Sequence, residues 1–146
     1  MEMLGEFTHK GVFAMKYVLL IGRVFYSLIF ILAAFGHFSK GSMDYAAQMG
    51  VPMAQFLVPF AGVLSLLGGL SILLGYRAKI GAWLLVIFLV PVTFMMHRFW
   101  GPMDPQMAMM QQIMFLKNLS MLGGALVIAY FGAGPCSLCH MCHHKE

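Results

Sequence analysis

Two long apolar runs, Ala54 to Leu74 and Ile80 to Met96, contain no acidic or basic residue. Only Gly75-Tyr76-Arg77-Ala78-Lys79 separates them. Each run is close to the ~20 residues that a helix needs to cross the hydrocarbon core of a bilayer. A short basic stretch between two such runs reads as the turn of a transmembrane hairpin, and turns of this kind stay in the cytoplasm. The compartment of every other loop then follows by counting crossings.

The rest of the chain has the same character. Of its 146 residues, 61% are hydrophobic and 10% charged, whereas charged residues make up about 25% of a soluble domain. The expected fold is an all-α integral membrane four-helix bundle with spans at about 18–36, 54–75, 80–96 and 113–132. Residues 1–134 form this membrane domain, and residues 135–146 form a Cys/His-rich tail. The net charge of +4 is dispersed along the chain, so no nucleic-acid partner is expected. The first span is longer than the roughly 15 apolar residues of a signal peptide and contains Arg23, which argues against a cleaved leader.

Charge asymmetry sets the expected orientation. Lys10, Lys16, Arg23, Arg77, Lys79 and Lys145 fall on the side of the two termini, against Lys40, Arg98 and Lys117 on the other. Both termini are therefore expected in the cytoplasm. Residues 37–53 read as a polar connection on the far side. Pro59 and Pro91 interrupt the second and third spans, and Pro91 frees the carbonyl of Ile87. Two rows of small residues, Gly62, Ser65, Gly68 and Gly69, then Gly123 and Gly124, suit close helix approach.

Read in order, Arg23, Phe35-Gly36-His37-Phe38-Ser39-Lys40, Leu67-Gly68-Gly69-Leu70-Ser71-Ile72-Leu73-Leu74-Gly75-Tyr76-Arg77, His97-Arg98-Phe99-Trp100 and Phe115-Leu116-Lys117-Asn118-Leu119-Ser120-Met121-Leu122-Gly123-Gly124 resemble the DoxX family of small four-helix membrane proteins. The resemblance runs from about Tyr17 to Gly134. It implies a multi-pass protein of the bacterial inner membrane, associated with membrane redox complexes that include thiosulfate:quinone oxidoreductases. Many relatives carry a glutamate three residues before the double glycine. This chain has Ser65 there, so no proton role of that glutamate carries over.

Three groups of residues have ligand chemistry. On the far side, His37, Lys40, His97, Arg98, Lys117 and Asn118 come to similar depth at the ends of three spans. Cationic and amide donors there suit a quinone headgroup or a small anion, and histidine suits the accompanying proton. The plainer reading is a set of interfacial anchors that snorkel to water. Met103, Met107, Met110 and Met114, with Met95, Met96 and Met109 nearby, form a thioether stripe. It fits Cu(I) with His97, but the preferred reading is an ordinary apolar packing face. The tail holds Cys136, Cys139 and Cys142 with His140, His143 and His144, a donor set for a soft metal ion such as Zn or Cu. Cys136 to His140 also matches the c-type haem attachment pattern, which an expected cytoplasmic location disfavours.

No phosphate loop, dinucleotide fingerprint or serine-nucleophile elbow occurs, and the few carboxylates form no acid/base pair within a span. The leading expectation is a membrane subunit of a redox system, with quinone-linked oxidation of a small sulfur compound carried out alongside a partner subunit. The alternatives are a non-enzymatic metal-handling protein that uses the Cys/His tail, and a structural or assembly subunit. The expected partners are the lipid bilayer, a redox subunit and other copies of the chain.

Overall fold

The computed structural model describes residues 2–135 and Ser137, with side chains at Met15 and from Tyr17 onward. The proposed metal ligands Cys136, Cys139, His140, Cys142, His143 and His144 lie outside the described residues. Five helices and no strand occur among the described residues: α1 (Glu2–Gly36), α2 (Lys40–Gln48), α3 (Ala54–Leu74), α4 (Ala78–Met96) and α5 (Pro105–Phe131). Four of them contain stretches long and apolar enough to cross a membrane: Tyr17–Gly36, Ala54–Leu74, Ala78–Met96 and Pro105–Phe131. At about 1.5 Å per residue, even the shortest of these spans roughly 28 Å, close to the thickness of a bilayer core.

The surface of the bundle is that of a protein solvated by lipid. Phe25, Leu32, Phe56, Tyr130 and Phe131 point outward, while the buried positions include Ser27, Ser65, Thr93, Ala34, Ala82 and Ala125. Because lipid tails supply no hydrophobic drive for association, helices in a membrane gain most from close van der Waals approach, which small residues permit. Gly68 and Gly81 are such a pair. A Cβ on Gly68 would come within 2.6 Å of the Leu85 side chain, and one on Gly81 within 2.5 Å of Ser71. On the other face of α3, a Cβ on Gly69 would come within 2.9 Å of Ile31 and within 3.3 Å of the Ser27 carbonyl. Gly124 makes room for the Tyr26 ring of α1, whereas Gly123 faces open space. The expected pairing of the two as a packing face is therefore corrected to Gly124 alone.

Several polar groups inside the bundle are hydrogen-bonded to main-chain carbonyls. The Ser65 hydroxyl donates to the Phe30 carbonyl at 2.9 Å, Thr93 donates to Leu89 at 2.6 Å, and the Tyr26 hydroxyl donates to Met121 at 2.6 Å. The first and third of these tie α1 to α3 and α5. Unpaired donors cost far more in a dry interior than in water, so such bonds fix both rotation and depth of each helix.

The α3–α4 turn has only Gly75, Tyr76 and Arg77 between the helices. Gly75 adopts φ 68° and Arg77 φ 48°, the left-handed region that costs a side-chain-bearing residue about 1–2 kcal/mol. The Ser71 hydroxyl lies 2.6 Å from the Tyr76 carbonyl and 3.2 Å from that of Arg77, which pins the turn to the last residues of α3. A Cβ on Gly75 would collide with the Arg23 guanidinium and with Ser137. Arg23 is thus buried beneath the turn rather than extended to the surface. Lys79 approaches Gly132, and Leu19 approaches Gly134, so the start of the first span and the end of the last meet at this end of the bundle.

The opposite end is closed by α2, which occupies the stretch expected to be a plain polar connection. Ser39 caps α2, its hydroxyl accepting from the Ser42 amide at 3.2 Å. Ala46 is the buried residue of this helix. Arg98, in the α4–α5 connection, donates to the Met49 carbonyl at 2.8 Å and ties that connection to the end of α2. Asp104 caps α5, accepting from the amides of Gln106 and Met107. The amphipathic stretch before the last span and the span itself are one continuous helix.

Candidate functional site

At the α2 end the helices enclose a cavity of about 500 Å³. This is within the 300–1,000 Å³ range usual for small-molecule sites. Its body is apolar and built from Phe30 and Ala33 of α1, Ala61 and Leu64 of α3, Phe88 and Val92 of α4, and Met121 of α5. Ser42, Tyr45 and Ala46 of α2 also line it. Leu57, Phe60 and Ile87 line it too while remaining 43%, 58% and 57% exposed, so its wall reaches the lipid-facing surface at α3 and α4. Pro91, within α4, is another lining residue, which places the proline bend beside the cavity.

Of the six residues expected to form a polar cluster, His37, His97, Lys117 and Asn118 line this cavity. Lys40 and Arg98 do not. Lys40 begins α2 on its exposed side, and Arg98 is engaged with Met49. The cluster is therefore smaller than its shared depth suggested, because depth along a helix says nothing of which way a side chain faces.

His37 stands at the end of α1, with Nδ1 2.9 Å from the Ala33 carbonyl and its ring 5.6 Å from the Phe88 ring in an edge-on contact. Gly62 is what lets α3 approach it: a Cβ there would sit 2.7 Å from the His37 Cβ and 3.2 Å from the Ala34 carbonyl oxygen. His97 caps α4, and its Nδ1 lies 2.9 Å from Oε1 of Gln111. Nε2 of Gln111 in turn reaches the Tyr45 hydroxyl at 3.4 Å. Asn118 is 5% exposed and lines the cavity. Lys117 is exposed at the rim, with Nζ 3.2 Å from the sulfur of Met114.

Gln111 and Tyr45 were not among the expected site residues. A signal for Gln111 was present: it precedes Asn118 by seven residues, and Asn118 precedes Ala125 by seven. These three are the buried residues of α5. Two amides on one face of an apolar helix mark an inward-facing polar line. The methionine stripe does not behave as a unit. Met107, Met109 and Met110 face outward, whereas Met95 and Met96 line the cavity. Among the described residues there is no cluster of three or more His, Cys, Asp or Glu side chains that would hold a metal ion.

Four helices long and apolar enough to cross a membrane, a small-residue interior and a cavity beside a short helix define a compact helical membrane protein. The DoxX family model matches residues 18–98, and the chain belongs to the DoxX family. It is similar to the inner membrane protein YqjF of Escherichia coli (strain K12), with 30% identity over 128 residues that cover 86% of this chain and 92% of that protein. It is also 30% identical over 123 residues to the inner membrane protein YphA of the same organism, covering 83% of this chain and 87% of YphA. No solved structure matches the chain.

Proposed function

We propose that this protein is an inner-membrane subunit of a bacterial redox system that seats the headgroup of a lipid-phase quinone. In this reading both termini face the cytoplasm. A partner subunit carries the redox cofactor and oxidises a small sulfur compound. The observation that supports it is that His37, His97, Lys117 and Asn118 all line one largely apolar cavity of about 500 Å³. A quinone has the matching division, with polar oxygens on a ring at one end and an isoprenoid tail at the other. The part of the wall formed by Leu57, Phe60 and Ile87 offers that tail a way into the lipid. Lys117 and Asn118 supply donors to carbonyl oxygen, and histidine supplies a site for the proton that accompanies reduction. A water-soluble anion fits less well, because most of the wall has nothing to offer a charge.

The test is binding of a short-tailed benzoquinone to the protein in lipid nanodiscs. His97→Ala and Asn118→Ala are expected to raise Kd about tenfold each, since loss of one buried hydrogen bond to a polar headgroup is worth roughly 1–1.5 kcal/mol. Unchanged affinity in both variants would remove the reading.

A further inference from the structure

The hydrogen bonds of the two cavity histidines fix more than their position. A backbone carbonyl oxygen can only accept, so the 2.9 Å contact between His37 Nδ1 and the Ala33 carbonyl places the proton of the neutral ring on Nδ1. The same logic applies to His97, whose Nδ1 faces Oε1 of Gln111 at 2.9 Å. In the orientation the Gln111 amide adopts, its Nε2 lies 3.4 Å from the Tyr45 hydroxyl, which accepts from it. In its neutral form each ring then carries Nδ1–H and leaves Nε2 as a bare acceptor. Neither Nε2 has a hydrogen-bond partner among the described residues.

We infer that the cavity selects a headgroup bearing hydroxyl groups, a hydroquinone or related dihydroxyarene, over the corresponding carbonyl compound, and that Gln111 is the positioning residue that sets this preference through His97. This rests on the reading of the cavity as a quinone-type site and specifies which redox form it prefers. A carbonyl oxygen accepts only. It satisfies the amide of Asn118 or the ammonium of Lys117 but leaves both Nε2 lone pairs unpaired in a largely apolar cavity. A hydroxyl group does both. Its proton goes to Nε2, and its oxygen accepts from Asn118 or Lys117. Leaving a partly buried acceptor without a partner is unfavourable enough to discriminate between otherwise similar ligands, the same physics by which a site built for a hydroxyl rejects the analogue lacking it.

Nitrogen-15 NMR of histidine-labelled protein, at a pH well above the imidazole range, reads the tautomers directly without any ligand. His37→Gln and His97→Gln variants assign the two signals among the six histidines. Both rings are expected with protonated Nδ1 and unprotonated Nε2. Gln111→Leu is expected to release His97 to a mixture of tautomers while leaving His37 unchanged. Tyr45→Phe, a milder change that keeps Gln111 in place, is expected to shift the His97 signals in the same sense by less. An Nε2–H form predominating at either ring would overturn the inference.

Binding is then compared under argon for three probes of one tail length: a hydroquinone, its dimethyl ether and the quinone. The hydroquinone is expected to bind about tenfold tighter than either of the others, and Gln111→Leu to reduce that margin several-fold. Equal binding of all three, or tighter binding of the quinone, would refute the preference while leaving the quinone-type site standing. Binding of none of the three would refute the site itself and the preference with it.

Discussion

Substitution of Gly62 by alanine tests the link between helix packing and the site. The added methyl would lie 2.7 Å from the His37 Cβ, 3.2 Å from the Ala34 carbonyl oxygen and 3.3 Å from the Phe38 ring. Carbon atoms in good contact sit about 3.5–4.0 Å apart, so α1 and α3 must part locally by roughly 1 Å. Two of the three obstacles are a Cβ and a backbone carbonyl, which cannot swing aside as a long side chain can. The expected cost is that of overpacking a core, about 1–3 kcal/mol. His37 moves with α1, and a displacement of about 1 Å carries a good hydrogen bond beyond its useful range. The ligand then loses about 1 kcal/mol, roughly a fivefold rise in Kd. Thermal unfolding in detergent, followed by tryptophan fluorescence, measures the first effect, and hydroquinone binding in nanodiscs the second. Gly123→Ala is the control, because a Cβ there meets nothing within 4 Å. If Gly62→Ala melts and binds like the parent, or if Gly123→Ala is the more damaging of the two, the close-approach argument fails.

Other outcomes follow from the same geometry. Tyr26→Phe removes the hydroxyl that donates to the Met121 carbonyl, and is expected to lower stability by about 0.6–1.5 kcal/mol, measurable by unfolding in mixed detergent. Ser65→Ala, which deletes the bond to the Phe30 carbonyl, should cost a similar amount, whereas Ser65→Glu should cost far more because it puts a carboxylate at a fully buried position. Gly75→Ala combines a strained φ with a collision against Arg23 and Ser137, and should reduce the yield of folded protein from membranes more than Gly123→Ala does. A phosphatase reporter, active only outside the cytoplasm, is expected to be silent when fused after Glu146. Strong activity there would reverse the proposed orientation.

The length and polarity of the apolar runs were enough to establish that this is a four-span helical membrane protein. That conclusion depends only on the thickness of a bilayer and the cost of exposing an unpaired backbone to it, both of which act on each segment separately. The hairpin around Gly75 to Lys79 was legible for the same reason. The role of α2 was not: its nine residues carry too little apolar surface to announce a helix that earns its place by covering a cavity. The cavity lining was legible only in part: of the six residues grouped by depth, His37, His97, Lys117 and Asn118 line it. Sequence spacing brought His37, Lys40, His97, Arg98, Lys117 and Asn118 to one end of the bundle, since depth is a sum of residue rises. Which of them face inward depends on the rotation of each helix about its own axis. That rotation is set by contacts between distant segments, such as Gly62 against His37 and Tyr26 against Met121. For that reason only the tertiary structure turned Lys40 and Arg98 away and brought Gln111 to His97.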